Sequence, residues 1–344
     1  MARKRKQKKT TRTKRPKTKS PSRLAQWWQG KDDEQRSAIL RHGGWALLLV
    51  ILLIGGAVGL TQLEDRILVD RQPTTAGRFS VELMDVPDWM PNELVQTIGR
   101  WVMPESANFS DENLAEQIYA RAKQSPWIRE THSVRKRPSG QPGRAVVQIR
   151  ADFRQPIAKV LHRGWAYFVD AEGVRLPSAE VPKWVMRVRE ADGGSRTVCF
   201  LDHGDIPRGV PAAPVHYIAI EGAAYDPPAV GQAWAGEDVQ DALRLVRMVR
   251  MRDYAREISV VDVRNFKNRI SSTEPQIQLF TQRGKGPMTR IKFGRFPDPA
   301  GDYVVSPKRK LAYLDSYFQQ NGGQLAGLNE SMDLRYDTLH VSPN

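Results

Sequence analysis

RFSVELMDVPDWMPNELVQTIGRWV, residues 78–102, carries two hydrophobic periods one after the other. Phe79, Val81 and Leu83 alternate with Ser80 and Glu82, the period of a half-buried strand. From Pro91 onward Leu94, Val95, Ile98 and Val102 recur at helical spacing, and Pro91 suits a first turn, so a helix is predicted over Pro91–Met103. A second helix follows at Asp111–Ala122, with Ser110 as N-cap, Glu112 and Asn113 just inside it, and Leu114, Ile118 and Ala122 as the buried stripe. Two strands complete the unit: Ile128–Lys136, entered through Pro126 and Trp127, and Ala145–Ala151, where Val147 and Ile149 alternate with Gln148 and Arg150. The predicted order is β-α-α-β-β.

Upstream, GGWALLLVILLIGGAVGLTQL (Gly43–Leu63) holds no charge at all. As a helix its 21 residues rise about 31 Å, close to the hydrocarbon thickness of a bilayer. Continuous apolarity without a polar stripe argues against a buried helix of a soluble domain. More than forty residues precede a core longer than the roughly 7–15 residues of a cleaved signal peptide. The expectation is therefore a single transmembrane helix over 43–63. Residues 1–44 hold 15 Lys and Arg against 3 acids, so this tail carries net +12 of the chain's +15. Lys and Arg beside one end of a span predict a cytoplasmic N-terminus, with the bulk of the chain on the far side. The basic tail is expected to attract anionic lipid, and no specific nucleic-acid binding is expected from a charge so confined. Trp27, Trp28 and Trp45 fit an interfacial belt, and Gly55 with Gly59 forms a lone, weak GxxxG.

The expected organisation is a disordered basic tail with a juxtamembrane amphipathic piece (1–42), the span (43–63), a Pro/Thr/Gly linker (64–77), the β-α-α-β-β domain (78–155) and a β domain (156–344). The expected fold class is α+β: one N-terminal transmembrane helix, then a β-α-α-β-β domain and a mixed or antiparallel β domain with helices. In the last part, AYFVDAEGVRLP (Ala166–Pro177) reads as a hairpin with Asp170 and Gly173 in its turn. A helix is predicted over Glu237–Arg252, where Arg244, Arg247 and Arg250 crowd one side as a solvated face. Strands at Ile258–Val263, Gln276–Phe280 and Thr289–Phe293 follow. A last helix, Pro307–Gln320, is stopped by Gly322 and Gly323. Ser178–His216 reads as an insertion rich in Pro and Gly.

In their order, the strand, the two short helices, Pro126-Trp127-Ile128, VVQIR, Pro156-Ile157-Ala158, the aromatic-Val-Asp of Ala166–Pro177, the Gly-Pro block Ile218–Trp234 with its helix, and the closing DLRY resemble the FtsQ/DivIB cell-division proteins, which carry a POTRA domain and a β domain. The resemblance spans roughly residues 78–340, with a gap over the insertion. It departs in the long loop Arg137–Arg144 and in the absence of an Asn-Gly after Tyr336. It implies a single-pass inner-membrane scaffold of the divisome at the division septum. Its β domain would hold a partner pair like FtsB/FtsL at the C-terminal edge, and its POTRA domain would contact other divisome proteins. On that basis Leu334, Arg335, Tyr336 and Leu339 are the expected partner-binding residues. Met332, Leu334 and Tyr336 alternate with Asp333 and Arg335, and the parity shift at Asp337 and Thr338 reads as a bulge or bend in the terminal strand.

None of the six histidines (His42, His132, His162, His203, His216, His340) forms an HExxH or HxH, and the sequence holds no GxSxG elbow and no Walker loop. Asp202, His203 and Asp205 read as a surface turn, and Cys199 in TVCFL as a buried strand residue. No catalytic activity, cofactor, metal or small-molecule substrate is expected. Two other readings stay open at this point: an envelope assembly or secretion factor that carries a POTRA domain, and an anchored ligand-binding or enzymatic domain.

Overall fold

The computed structural model describes residues 32, 79–105, 108–138, 145–189, 193–281, 287–298 and 303–344. The tail, span and linker expected over 1–77 lie outside the described residues, Asp32 apart. Among the described residues no helix is long and apolar enough to cross a membrane. The four α-helices run 11 to 14 residues and are amphipathic, whereas a span needs about 20 apolar ones. The expected fold class, α+β headed by a transmembrane helix, is corrected accordingly: what is described is a mixed α/β arrangement of fourteen strands and four α-helices in three sheets.

The first module contains β1 (Phe79–Met84), α1 (Asn92–Val102), α2 (Leu114–Gln124), β2 (Ile128–Pro138) and β3 (Ala145–Phe153). Strand β3 lies between the other two, parallel to β1 and antiparallel to β2. Pro91 is the N-cap of α1 rather than part of its first turn, and its extended backbone (φ −68°, ψ 153°) sets the helix start. α2 begins three residues later than the spacing suggests. The Asn108 carboxamide accepts the Ser110 amide at 3.0 Å and the Asp111 carboxylate accepts the Asn113 amide at 2.9 Å. These side-chain turns compete with the helix for the same backbone, and Asn113, not Ser110, occupies the N-cap. Leu94, Ile98, Val102, Leu114, Ile118 and Ala122 pack on Val147 and Ile149. That core does not stop at residue 155, because Leu176 and Val181 are fully buried in it. The indole of buried Trp127 also donates to Glu180 Oε2 at 2.6 Å.

The chain then makes β4 (Ala158–His162) and β5 (Trp165–Val169), followed by a small sheet of β6 (Trp184–Arg189), β7 (Ser195–Phe200) and β8 (Ala213–Pro214) in the order β7-β6-β8. The insertion over 178–216 is this sheet. Next come β9 (Ile218–Glu221), α3 (Glu237–Val249), β10 (Ile258–Asp262), β11 (Ile277–Thr281), β12 (Arg290–Gly294), α4 (Pro307–Gln320), β13 (Glu330–Asp333) and β14 (His340–Pro343). Eight strands form one sheet, ordered β14-β13-β12-β11-β10-β9-β4-β5. α3 and α4 bury Val239, Leu243, Val246, Leu311 and Leu314 in the same core as Val261, Leu279, Ile291 and Met332.

A tandem repeat underlies that order. In β9-α3-β10-β11 and again in β12-α4-β13-β14 the strands flanking the helix are parallel and the third strand returns antiparallel. The ladders end alike, with Val263 N–H on the Glu221 carbonyl (2.8 Å) and Leu334 N–H on the Lys292 carbonyl (3.0 Å). Each is closed by an Asp-x-Arg clasp: Arg264 Nη2 donates to Asp262 Oδ2 at 2.6 Å and Arg335 Nη2 to Asp333 Oδ2 at 2.7 Å. Gly222 and Gly294, both at φ near +85°, make room for these arginines, since a Cβ there would fall 2.2 Å from Arg264 Cγ and 2.8 Å from Arg335 Cγ.

Candidate functional site: the C-terminal edge of the large sheet

One edge of the large sheet is β14, whose four residues are all exposed. The Asn344 amide donates to the Asn329 carbonyl at 3.0 Å, in phase with the β13–β14 register. In an antiparallel ladder the bonded pairs alternate, so His340 and Ser342 direct their backbone groups toward β13. Val341 and Pro343 direct theirs outward. Pro343 has no N–H, and the outer rim of β14 therefore offers a single amide donor, that of Val341, together with the carbonyls of Val341 and Pro343. Such a short edge resists indiscriminate pairing yet accepts a short strand of matching register.

The expected terminal strand is corrected here. Residues 332–341 are not one strand with a bulge or bend but a hairpin that reverses between Asp333 and His340. The parity shift at Asp337 and Thr338 marks its turn. Leu334 lies in the core with no exposed surface, held there by its amide on β12, and cannot touch a partner. Arg335 is spent largely inside the molecule, on Asp333 and on the Thr273 carbonyl at 2.9 Å. Leu339 is partly buried against the main core. Tyr336 alone of the four is well exposed, its ring edge-on to His340 with centroids 5.2 Å apart. The edge residues His340, Val341, Ser342 and Pro343 were not anticipated. Their signal was available in the repeat of Val261-Asp262-Val263-Arg264 by Met332-Asp333-Leu334-Arg335, which predicts a return strand after each.

The hairpin is pinned to α4. Ser306 caps that helix by accepting the Arg309 amide at 3.3 Å. Arg309 then reaches the Asp337 carbonyl at 3.0 Å, and the Tyr313 hydroxyl donates to the same oxygen. Beneath the hairpin Lys310 is 1% exposed, its ammonium on the Phe293 and Arg295 carbonyls at 2.7 and 2.9 Å and over the Phe293 ring. Burial, with Arg295 adding to it, pushes its pKa down to about 8, and Asp333 only partly opposes the shift. Burial alone would raise the Asp333 carboxyl, but the hydrogen bonds from Arg335 outweigh it and hold the pKa below the usual range.

The residues weighed for chemistry lie elsewhere. Asp202 and Asp205 cap one short 3-10 turn reciprocally, Asp205 Oδ2 accepting the Asp202 amide at 3.0 Å. Asp202 also pairs with Lys183 at 3.2 Å. Asp170 Oδ1 accepts the amides of Glu172 and Val174 at 3.0 and 2.8 Å, and Arg154 bonds its Oδ2 at 2.6 Å. Cys199 is buried on β7, and burial pushes its thiol pKa up, away from the reactive thiolate. Among the described residues no group of three or more His, Cys, Asp or Glu is placed to hold a metal ion. Neither a protein-family model nor a curated protein matches the chain.

Proposed function

We propose that this chain is a non-catalytic scaffold of the bacterial divisome, acting at the inner membrane of the division septum and holding a partner by strand addition to β14. The observation that carries the reading is the tandem repeat with its open end. β14 occupies in the second repeat the place of β11 in the first, and β11 is completed on its outer side by antiparallel β12. Among the described residues nothing supplies that next strand for β14. A partner segment lying antiparallel to Val341 would continue the pattern, with main-chain hydrogen bonds giving affinity and exposed Tyr336 and Val341 beside it giving selectivity. The motif order from Phe79 to Tyr336 favours an FtsB/FtsL-like pair as that partner and other divisome proteins as contacts of the first module.

The test is co-purification of the FtsB/FtsL-like pair from dividing cells with the wild-type chain, with Val341→Pro and with a chain lacking residues 340–344. Val341→Pro deletes the one outward donor without touching the ladder to β13. Both variants should lose the pair while melting cooperatively. Undiminished recovery with Val341→Pro would refute strand addition at this edge.

A further inference from the structure

A cleft of about 680 Å³ opens where the first module, the small sheet and the end of α3 meet, away from β14. That volume is in the range of small-molecule sites. Its apolar wall comes from three elements: Trp89 from the loop after β1, Pro182 and Val185 around the start of β6, and Val215 after β8. Its cationic wall comes from the end of α3 and the 3-10 turn beyond it, Arg250, Arg252 and Arg256. Asp253 is the only carboxylate among the lining residues. Arg252 is taken by Asp315 at 2.8 Å. The side chains of Arg250 and Arg256 make no hydrogen bond or ion pair among the described residues, the one bond of Arg250 being its backbone amide on the Val246 carbonyl at 2.9 Å.

Arg250 is reached by solvent, yet the surrounding protein pushes its pKa down. That combination belongs to a concave wall: the guanidinium has lost part of its hydration without gaining a counter-charge. The group facing it is the Tyr217 phenol, which donates to the Pro182 carbonyl at 2.8 Å and is itself held neutral by burial. Arginine at a helix C-terminus is ordinarily explained by the helix dipole, and Arg250 is the C-cap of α3. The dipole does not account for Arg256, which follows the helix by several residues and lines the same cleft. Two uncompensated forks beside an apolar wall fit a planar or tetrahedral oxyanion on a greasy body.

We infer that this cleft binds an oxyanion, phosphate or carboxylate, carried on an apolar body. The site is independent of β14 and of the strand-addition reading. Calorimetric titration of the full chain with 1-naphthyl phosphate, with 1-naphthol and with inorganic phosphate tests it. The phosphate ester should bind about tenfold or more tightly than naphthol, the worth of one charge-assisted hydrogen bond, and more tightly than inorganic phosphate. Arg250→Gln/Arg256→Gln should erase the preference over naphthol, whereas Arg247→Gln, on the same helix but outside the cleft, should keep it. If the double variant melts without cooperativity, Val185→Glu, which places a negative charge in the apolar wall, replaces it and should weaken the ester by a similar factor. Equal affinity for ester and naphthol, a preference that survives the double variant, no binding of the ester, or inorganic phosphate binding as tightly as the ester would each overturn the proposal.

Discussion

Lys310 shows how one side chain ties the helix to the sheet beneath the terminal hairpin. Its ammonium satisfies two carbonyls of the chain leaving β12, and burial brings its pKa to about 8. In the unfolded chain it titrates near 10.4. Between these values the unfolded state binds more protons than the folded one, so stability contributed at this site rises with pH through that window and levels off above it. Chemical denaturation at intervals from pH 7.5 to 10.5 should show that rise in the wild type and a flatter profile in Lys310→Met. An unchanged profile would place the ionised lysine in water. Asp333 has the same sign in the acid range: its lowered pKa makes its contribution present at neutral pH and lost as acid titrates it. Gly294 is the other residue this packing depends on. Gly294→Ala places a Cβ 2.8 Å from Arg335 Cγ at φ +85° and should cost about 1–3 kcal/mol by the usual strain at such positions, read as a lower denaturation midpoint at unchanged slope.

At the scale of elements, the β13–β14 hairpin separates two kinds of backbone donor. Ser342 points its amide at β13 and Val341 points outward. Ser342→Pro should therefore lower stability by breaking an internal bond, while Val341→Pro should leave the melting temperature near that of the wild type and act only on partner recovery. Loss of stability in Val341→Pro as large as in Ser342→Pro would mean the ladder phase is reversed. Much of the fold was legible at this scale. The period-2 runs over 79–83 and 145–151 and the helical stripe Leu94, Ile98, Val102 are local patterns, and so is α4, with Ser306 before it and Gly322 and Gly323 after it. What escaped reading was non-local. Met332, Leu334 and Tyr336 alternate like one strand, but β12 captures Leu334 and the clasp of Arg335 on Asp333 turns the chain away. No spacing within the segment reports either event. The start of α2 was missed for a local reason, because carboxylate and carboxamide turns at Asn108 and Asp111 look like capping residues in the sequence.

At the scale of the whole molecule, the first module and the large sheet are not two beads on a string. Leu176 and Val181, beyond the 155/156 boundary expected from the sequence, are fully buried in the first core, and Glu180 receives the Trp127 indole. A fragment of residues 79–155 should therefore melt well below the full chain, and Leu176→Ala should cost about 2–5 kcal/mol, measured by denaturant titration. A fragment as stable as the intact protein would restore the simpler boundary. The large sheet is asymmetric in a way that the tandem repeat makes plain. Each Asp-x-Arg clasp closes a parallel pair and hands the chain to an antiparallel return strand, and among the described residues only the second return strand lacks an outer neighbour. The most direct test of that claim is amide hydrogen exchange at Val341, followed by NMR in the free chain and in the proposed complex with an FtsB/FtsL-like pair. Strand addition predicts fast exchange in the free chain and strong protection in the complex, with Ser342 protected in both. Exchange at Val341 that stays fast in the complex would contradict it.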